Sequence, residues 1–157
     1  MIFVSVGTHE QQFNRLLKKI DELVARGTIK EKVFAQTGYS TYAPKQYGAE
    51  KFLSMAEFDK KVKNCSIFIT HAGEGNIGTA LQYEKKMIVV PRRKKYGEHT
   101  NDHQLELANA IKKEQQAVVC GVEDIADALK KTKKLRLRKT AHAKRIIYLI
   151  ENYLKTV

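Results

Sequence analysis

The sequence lacks the motifs that would assign it to several common classes of enzyme. No D-x-D, no G-x-x-x-x-G-K-[ST] and no G-x-S-x-G occurs in its 157 residues. Support is therefore lost for metal-dependent sugar transfer of the D-x-D type, for P-loop chemistry and for serine hydrolysis. Histidines, cysteines and acidic residues nowhere have the spacing of metal ligands, so we expect no metal site.

Cysteines and long apolar runs are also scarce. The two cysteines, Cys65 and Cys120, lie beside apolar strands without C-x-x-C spacing, which predicts reduced, buried thiols compatible with a cytosolic setting. No apolar run approaches the roughly 18 residues that a membrane-spanning helix needs. The first segment, MIFVSVGTHE, has no basic region and soon turns polar, so we predict no signal peptide.

Basic residues, in contrast, are abundant. The formal net charge is +12, and nine lysines and arginines with no acidic residue occupy the interval Lys130–Arg145. Such a charge suits nucleic acid, an anionic membrane surface or a phosphorylated substrate. The interval contains no aromatic residue, which argues against nucleic acid. A solvated helix face and a contact with anionic lipid or an acidic partner both remain open.

Apolar strand patterns alternate with amphipathic helix patterns along the chain. They predict one α/β, doubly wound, parallel-sheet (Rossmann-like) domain over residues 1–135. A basic segment with an amphipathic helix follows over residues 136–157 and packs on the domain or on a partner. The predicted strands are Ile2–Val6, Lys32–Thr37, Lys51–Leu53, Ser66–Thr70, Met87–Pro91 and Ala117–Cys120.

Helix starts are predicted from local patterns. Thr8–Gln11 and Ser54–Glu57 each have the S/T-x-x-E/Q pattern of a capping box. Asn76 lies at the expected start of the helix after the fourth strand, where an N-cap is the alternative to a binding role. A further helix is expected to begin at Thr100.

Ligands of a doubly wound sheet bind beyond the carboxyl ends of the strands. The segment SIFITHAGEGNIG (Ser66–Gly78) passes from a strand through a glycine-rich turn into a helix. The first helical N–H groups and the helix dipole at such a turn attract a phosphate. A polar stretch, residues 96–104, follows the next strand, and Gly7, Thr8 and His9 follow the first. Together these loops predict a nucleotide-type ligand.

Gly73–Gly78 also matches G-x-G-x-x-G, so an NADP-binding oxidoreductase domain is an alternative. The motif follows about the fourth strand, whereas the dinucleotide fingerprint normally follows the first. Arg92 and Arg93 at the end of the next strand would suit a 2′-phosphate. Glycines that serve only a tight turn are a further possibility.

Three segments in order resemble the donor-binding half of GT-B glycosyltransferases: FVSVGTHEQQFNRLL, ITHAGEGNIGTAL and VVPRRKKYGEHTNDHQLELA. The resemblance covers about Ile2–Val119 and includes MurG-like transferases and the cytosolic subunit of the dolichol-linked UDP-GlcNAc transferase. It is strongest with PssE-like subunits of exopolysaccharide and capsule synthesis. It implies the C-terminal half of a GT-B fold and transfer of a sugar from a UDP-sugar to a polyprenyl-diphosphate-linked acceptor, without a cofactor or metal.

The resemblance also implies roles for individual residues. By motif position, Gly73, Gly75 and Asn76 hold the diphosphate, with His71 beside them. The sugar is met by Asp102, His103 and Gln104. Relatives bind the ribose with a glutamate; Thr79 stands at that position here, so either Thr79 or Glu98 takes the role. The other predicted donor-binding residues are Gly7, Thr8, Arg92 and Asn101, and His9 is the candidate catalytic base.

A GT-B enzyme has two α/β domains, and this length corresponds to one. The resemblance therefore implies a membrane-anchored, PssD-like partner that binds the lipid-linked acceptor. It places the chain in the cytoplasm, at the inner face of the membrane through that partner. It leans weakly toward UDP-galactose, UDP-glucose or UDP-glucuronate as the donor.

Overall fold

A computed structural model describes residues 1–137, 144, 146–148, 150–152 and 155. Its strands are β1 (Ile2–Ser5), β2 (Val33–Gln36), β3 (Gly48–Glu50), β4 (Ile67–Thr70), β5 (Met87–Val89) and β6 (Ala117–Val119). They form one parallel sheet in the order β3-β2-β1-β4-β5-β6. The predicted doubly wound α/β fold is confirmed.

Helices cover both faces of this sheet. They are α1 (Asn14–Ala25), α2 (Met55–Asn64), α3 (Glu74–Gln82), α4 (His103–Lys113) and α5 (Ile125–Lys134), and the described residues from 144 onward are also helical. Short 3-10 turns lie at Lys94–Tyr96 and Val122–Asp124. Successive strand residues point to opposite faces, so Val4 packs with α1 and α5 whereas Phe3 packs with α2, α3 and α4.

The first helix begins later than its sequence pattern predicts. The prediction of a capping box at Thr8–Gln11 is wrong, because α1 begins at Asn14 and Phe13 holds the N-cap position. The backbone N–H of the buried Phe13 donates to Ser40 Oγ (2.9 Å). Residues 6–13 therefore form a loop over the carboxyl edge of the sheet.

The helix after β4 begins earlier than predicted. Gly73 is its N-cap and Glu74 its first residue, so Asn76 is not the N-cap. The capping box at Ser54 is confirmed: Ser54 Oγ accepts from the Glu57 backbone N–H (3.3 Å), and Glu57 Oε2 accepts from the Ser54 backbone N–H (3.0 Å).

Two further boundaries differ by a few residues. The third strand is Gly48–Glu50 rather than Lys51–Leu53. The helix predicted from Thr100 begins at His103. Neither difference changes the order of the elements.

The C-terminal segment contributes to the core. Ile146 and Ile150 are buried in the cluster that also contains residues of α2, α3 and α4. Other members of the predicted apolar face and basic stretch lie outside the described residues: Arg138, Lys139, Ala143, Arg145, Tyr153 and Leu154. The division of the chain at residue 135 stays a prediction.

Neither cysteine forms a disulfide. Cys65 is buried and Cys120 half-buried, both as free thiols. Burial, reinforced by the charge of Asp124, raises the pKa of Cys120 to about 12, so this thiol stays protonated.

In the described part of the chain, no helix combines the length and hydrophobicity needed to span a bilayer.

Candidate functional site

The strand order creates a crevice between the loops that follow β1 and β4. These strands are neighbours, yet α1 packs on one face of the sheet and α3 on the other. The two chain segments therefore diverge at the carboxyl edge, which is where open α/β sheets bind ligands. The candidate residues of the glycine turn and of the first loop border this crevice.

A row of buried polar side chains crosses the sheet just below the crevice. Ser5 is in register with Gln36 on one side and with Thr70 on the other. Gln36 Nε2 donates to Ser5 Oγ (3.3 Å), and Gln36 Oε1 accepts from the Leu53 backbone N–H (3.0 Å). The sequence prediction missed this row, although each member is a polar residue at the end of an apolar strand.

Asn76 joins this row to the glycine turn. Its Nδ2 donates to Ser5 Oγ (3.0 Å) and to Thr70 Oγ1 (2.8 Å). No side chain caps the first turn of α3, so the leading N–H groups of this helix face the crevice with the positive end of its dipole. This arrangement is suited to an anion.

His71 fills the floor of the crevice between two glycines. A Cβ atom on Gly7 or on Gly73 would overlap the His71 imidazole, with Nε2 and Cε1 as the nearest atoms. Gly7 also has φ +77°, a conformation that disfavours other residues. These two glycines are therefore needed for the histidine to lie where it does.

Gln104 fixes the orientation and tautomer of His71. Its Oε1 accepts from the Arg92 backbone N–H (3.0 Å), so its Nε2 is the donor that lies 3.1 Å from His71 Nδ1. The neutral ring therefore carries its proton on Nε2, between the two glycines. Burial, followed by the charge of Arg92, lowers the pKa of His71 to about 3. His71 is thus a neutral hydrogen-bond donor at physiological pH.

Arg92 ties the loop after β5 to the loop after β1. This fully buried side chain donates through Nη1 to the carbonyls of Gln11 (2.8 Å), Gln12 (3.1 Å) and Glu98 (3.0 Å), and through Nη2 to Val6. Burial lowers its pKa to about 10, against the attraction of Glu98, so it remains charged. Its donor-binding role stays a prediction.

The buried carboxylate of Glu98 also has protein partners. It accepts from Arg15 Nε (2.7 Å) and Nη2 (3.2 Å) and from the Arg93 backbone N–H (2.9 Å). The guanidinium of Arg15 also lies 4.0 Å from the ring centroid of Tyr96. The contact of Glu98 with a ribose stays a prediction.

The polar turn before α4 is organised around Asp102. This exposed carboxylate accepts from the Lys94 backbone N–H (3.0 Å) and lies 3.5 Å from Arg93 Nε. The bond from Lys94 is the main cause of its lowered pKa, and Arg93 adds to it. Asn101 Oδ1 accepts from the His103 backbone N–H (3.0 Å), and the exposed His103 ring lies 3.5 Å from Glu106. Only Gln104 of this turn is hydrogen-bonded to His71.

The remaining predicted residues lie at the rim. Thr79 Oγ1 donates to the Gly75 carbonyl (2.9 Å), Thr8 is exposed, and the space above Gly75 is open. The His9 ring lies 4.5 Å from the ring of His99. No group of three or more potential metal ligands occurs among the described residues.

Exposed apolar side chains flank the crevice on the β2–β3 side. Tyr39 and Phe52 are 54% and 45% exposed, and their ring centroids lie 5.2 Å apart in an edge-to-face contact. Met55 is 85% exposed. Leu53, which Gln36 holds, lies within this segment. The sequence prediction did not single out these residues.

Several solved glycosyltransferases are similar to this chain. The glycotransferase of kitacinnamycin is 18% identical, with a TM-score of 0.66 over 96% of this chain and 38% of that one. Acinetobacter baumannii MurG is 15% identical, with a TM-score of 0.58 over 98% of this chain and 49% of that one. VinC, solved in complex with DTDP, is 16% identical, with a TM-score of 0.58 over 96% of this chain and 37% of that one.

At these identities the structures establish the fold, and the chain spans less than half the length of each. No curated protein matches the sequence. The profile of the glycosyltransferase family 28 C-terminal domain, however, matches residues 1–152. The chain therefore belongs to the glycosyltransferase family 28 C-terminal domain family, and its sheet corresponds to the C-terminal half of a GT-B glycosyltransferase.

Proposed function

We propose that this domain binds the UDP-sugar donor of a two-component glycosyltransferase. The observation that carries the proposal is the presence at the carboxyl edge of two hydrogen-bonded groups, Asn76 with Ser5 and Thr70, and His71 with Gln104. Together they combine the uncapped start of a helix with a neutral imidazole donor in one crevice. A diphosphate needs several N–H donors and little competing negative charge.

The proposal gives each part of the donor a place. The diphosphate lies against Gly73, Gly75 and Asn76, and the sugar lies near Asp102, His103 and Gln104. Gly7, Thr8 and Asn101 complete this donor site, and Arg92 holds together the loops around it. The exposed pair Tyr39 and Phe52 offers the nucleobase an aromatic surface. The DTDP bound by VinC supports a nucleotide ligand for this fold.

In the proposed reaction the domain orients the donor and stabilises the departing UDP. The helix dipole of α3 and the His71 Nε2–H would offset the charge that develops on the leaving phosphate. Transfer also needs a base for the acceptor hydroxyl. His9 is the candidate in this chain, and the base can equally come from the missing half of the enzyme. To act as a base, His9 would have to release the Gln11 backbone N–H that now occupies its Nδ1.

The acceptor half is proposed to be a membrane-anchored, PssD-like partner that presents a polyprenyl-diphosphate-linked acceptor. The net charge of +12 supports this location at the membrane. A basic domain suits the inner face of an anionic membrane. Exopolysaccharide or capsule synthesis is the proposed setting.

Calorimetric titration with UDP, UDP-sugars and NADPH tests the donor site. We expect UDP to bind to the wild type and its affinity to fall by about tenfold or more in Asn76→Asp, because the substitution places a negative charge next to the proposed phosphate site. Gln104→Ala should weaken the binding of UDP-sugars. Asn109→Asp, on the exposed surface of α4, is the control of equal charge. Binding of NADPH but not UDP would favour the oxidoreductase alternative and end this proposal.

A further inference from the structure

Two histidines from different loops form a tilted ring pair at the carboxyl edge. His9 follows β1 and His99 precedes α4, and their rings lie 4.5 Å apart at 30°. Each Nδ1 accepts from a backbone N–H two residues further on, from Gln11 and from Asn101, both at 3.3 Å. When neutral, each ring therefore carries its proton on Nε2 and presents that atom as a donor.

The charged groups around the pair come from several elements. Arg92, after β5, and the His71 ring, after β4, both interact electrostatically with His99. Glu74, the first residue of α3, attracts a proton to His99, so the pair lies close to the start of α3. Glu98, on the loop of His99, directs its carboxylate to Arg15 and to the Arg93 backbone. Burial, then His9 and Arg92, lower the pKa of His99.

We infer that His9 and His99 act as a proton-linked pair that takes up a proton from solvent when a diphosphate binds beside them. In the free protein two imidazolium rings at this separation would repel each other and the charge of Arg92. A bound diphosphate offsets that repulsion, and a protonated ring donates a stronger hydrogen bond to it. The inference rests on the proposed function, because it needs the diphosphate near the start of α3.

The coupling gives the affinity a defined pH dependence. Binding raises the proton affinity of the pair, so by linkage a lower pH strengthens binding of the anion. With uptake of up to one proton, the affinity should rise about three- to tenfold per pH unit as the pH falls through the range in which the bound pair titrates. Protonation at Nδ1 of either ring also displaces the backbone N–H bound there, so the loop that carries the protonated ring must move.

The test is calorimetric titration of the protein with UDP between pH 6 and pH 8, in pairs of buffers that differ in ionisation enthalpy. The terminal phosphate of UDP itself titrates near pH 6, so the readout is the difference in proton uptake between wild type and variant. We expect His9→Gln and His99→Gln each to reduce the protein's share of that uptake and to make the pH profile shallower. Lys112→Gln, on exposed α4, should keep both.

A second measurement needs no nucleotide. In a nuclear magnetic resonance titration, inorganic pyrophosphate should raise the pKa of His99 in the wild type, and His9→Gln should raise it in the free protein. UDP binding with no difference in proton uptake would overturn the inference and leave the proposed donor site intact. A response to pyrophosphate without UDP binding would support the pair and contradict the nucleotide donor. A response to neither would overturn both.

Discussion

Gln104 determines which ring nitrogen of His71 carries the proton. The Arg92 backbone N–H holds Gln104 Oε1, so the amide nitrogen must face His71 Nδ1. This leaves the His71 Nε2–H at the crevice, where Gly7 and Gly73 make room for the ring. One amide on α4 thus sets the hydrogen-bonding character of a residue that follows β4.

Gln104→Glu should favour a proton on His71 Nδ1. A carboxylate cannot donate to Nδ1, and its negative charge favours a protonated ring, so the pKa of His71 should rise from about 3 by about one to three units. Nitrogen chemical shifts of the imidazole, recorded against pH in the free protein, would show the change. Gln104→Met keeps the length of the side chain and supplies no charge, so a rise of the same size there would contradict the argument.

The two glycines of the turn should respond oppositely to alanine. Gly73→Ala places a methyl group against the His71 ring and should lower the free energy of unfolding by about 1–3 kcal/mol. Gly75→Ala points into open space within α3 and should raise it by about 0.5–1 kcal/mol, since alanine favours a helix. Urea unfolding of both variants measures the difference. Equal changes in the free energy of unfolding would mean that the His71 ring moves aside for the added methyl group at little cost.

The glycine turn could be predicted at this scale, and candidate site residues could be proposed, because turn glycines and polar loops leave local patterns in the sequence. The row formed by Ser5, Gln36 and Thr70 could not be identified from local patterns. Each of these residues is an ordinary strand residue locally, and its value lies in the register that places the three side by side. Register is a property of the assembled sheet.

At the scale of elements, the two capping-box patterns show when a local signal prevails. Ser54–Glu57 opens α2 as predicted. Thr8–Gln11 has the same pattern, but Arg92 binds the carbonyls of Val6, Gln11 and Gln12. A helix beginning there would need the carbonyls of its first residues for its own hydrogen bonds. The buried arginine comes from a distant part of the chain, so no local pattern could reveal this outcome.

The loop between β2 and β3 depends on a carboxylate of α1. The side chain of Asp21 is buried and accepts from Tyr42 Oη (2.6 Å) and from the backbone N–H groups of Lys45 (2.9 Å) and Gln46 (2.8 Å). Burial opposes ionisation, but these hydrogen bonds outweigh it and lower the pKa of Asp21. The ionised carboxylate therefore holds the loop that carries Tyr39 beside the crevice.

Asp21→Asn should destabilise the domain by about 1–3 kcal/mol at pH 7. The folded-state pKa lies below the unfolded value of about 3.9, so this stabilisation is present above that value and is lost as the pH falls through the folded-state pKa. The difference between wild type and variant should therefore shrink on going from pH 7 to about pH 3. Urea unfolding at both values tests it, with Asp59→Asn on α2 as the control. A pH-independent difference would assign the effect to packing.

At the scale of the whole molecule, alternating strand and helix patterns were enough to predict a doubly wound parallel sheet. Every connection in such a sheet crosses over through a helix or a loop, and the handedness rule leaves few arrangements. The position of the crevice then follows from the order of the strands. The proposed partner cannot be derived from this fold, because its contacts with the acceptor would lie on a second protein.

The proposed location predicts two modes of membrane binding. With a net charge of +12, the isolated domain should float with anionic vesicles at low salt and leave them as salt rises from about 0.1 M to 1 M, where the Debye length falls from about 10 Å to 3 Å. Neutral vesicles should not bind it at either salt concentration. Binding through a membrane-anchored partner should instead persist at high salt, because a protein interface is mostly uncharged at its centre.

Flotation of the domain alone, and of the domain co-expressed with a PssD-like partner, separates these modes. We expect salt-resistant membrane binding, and sugar transfer to a lipid-linked acceptor, only in the co-expressed sample. A domain that stays on the membrane at high salt by itself would carry its own anchor, which contradicts recruitment through a partner. A co-expressed domain that washes off with salt would leave charge as the only link to the membrane. Transfer by the isolated domain would show that no acceptor half is required.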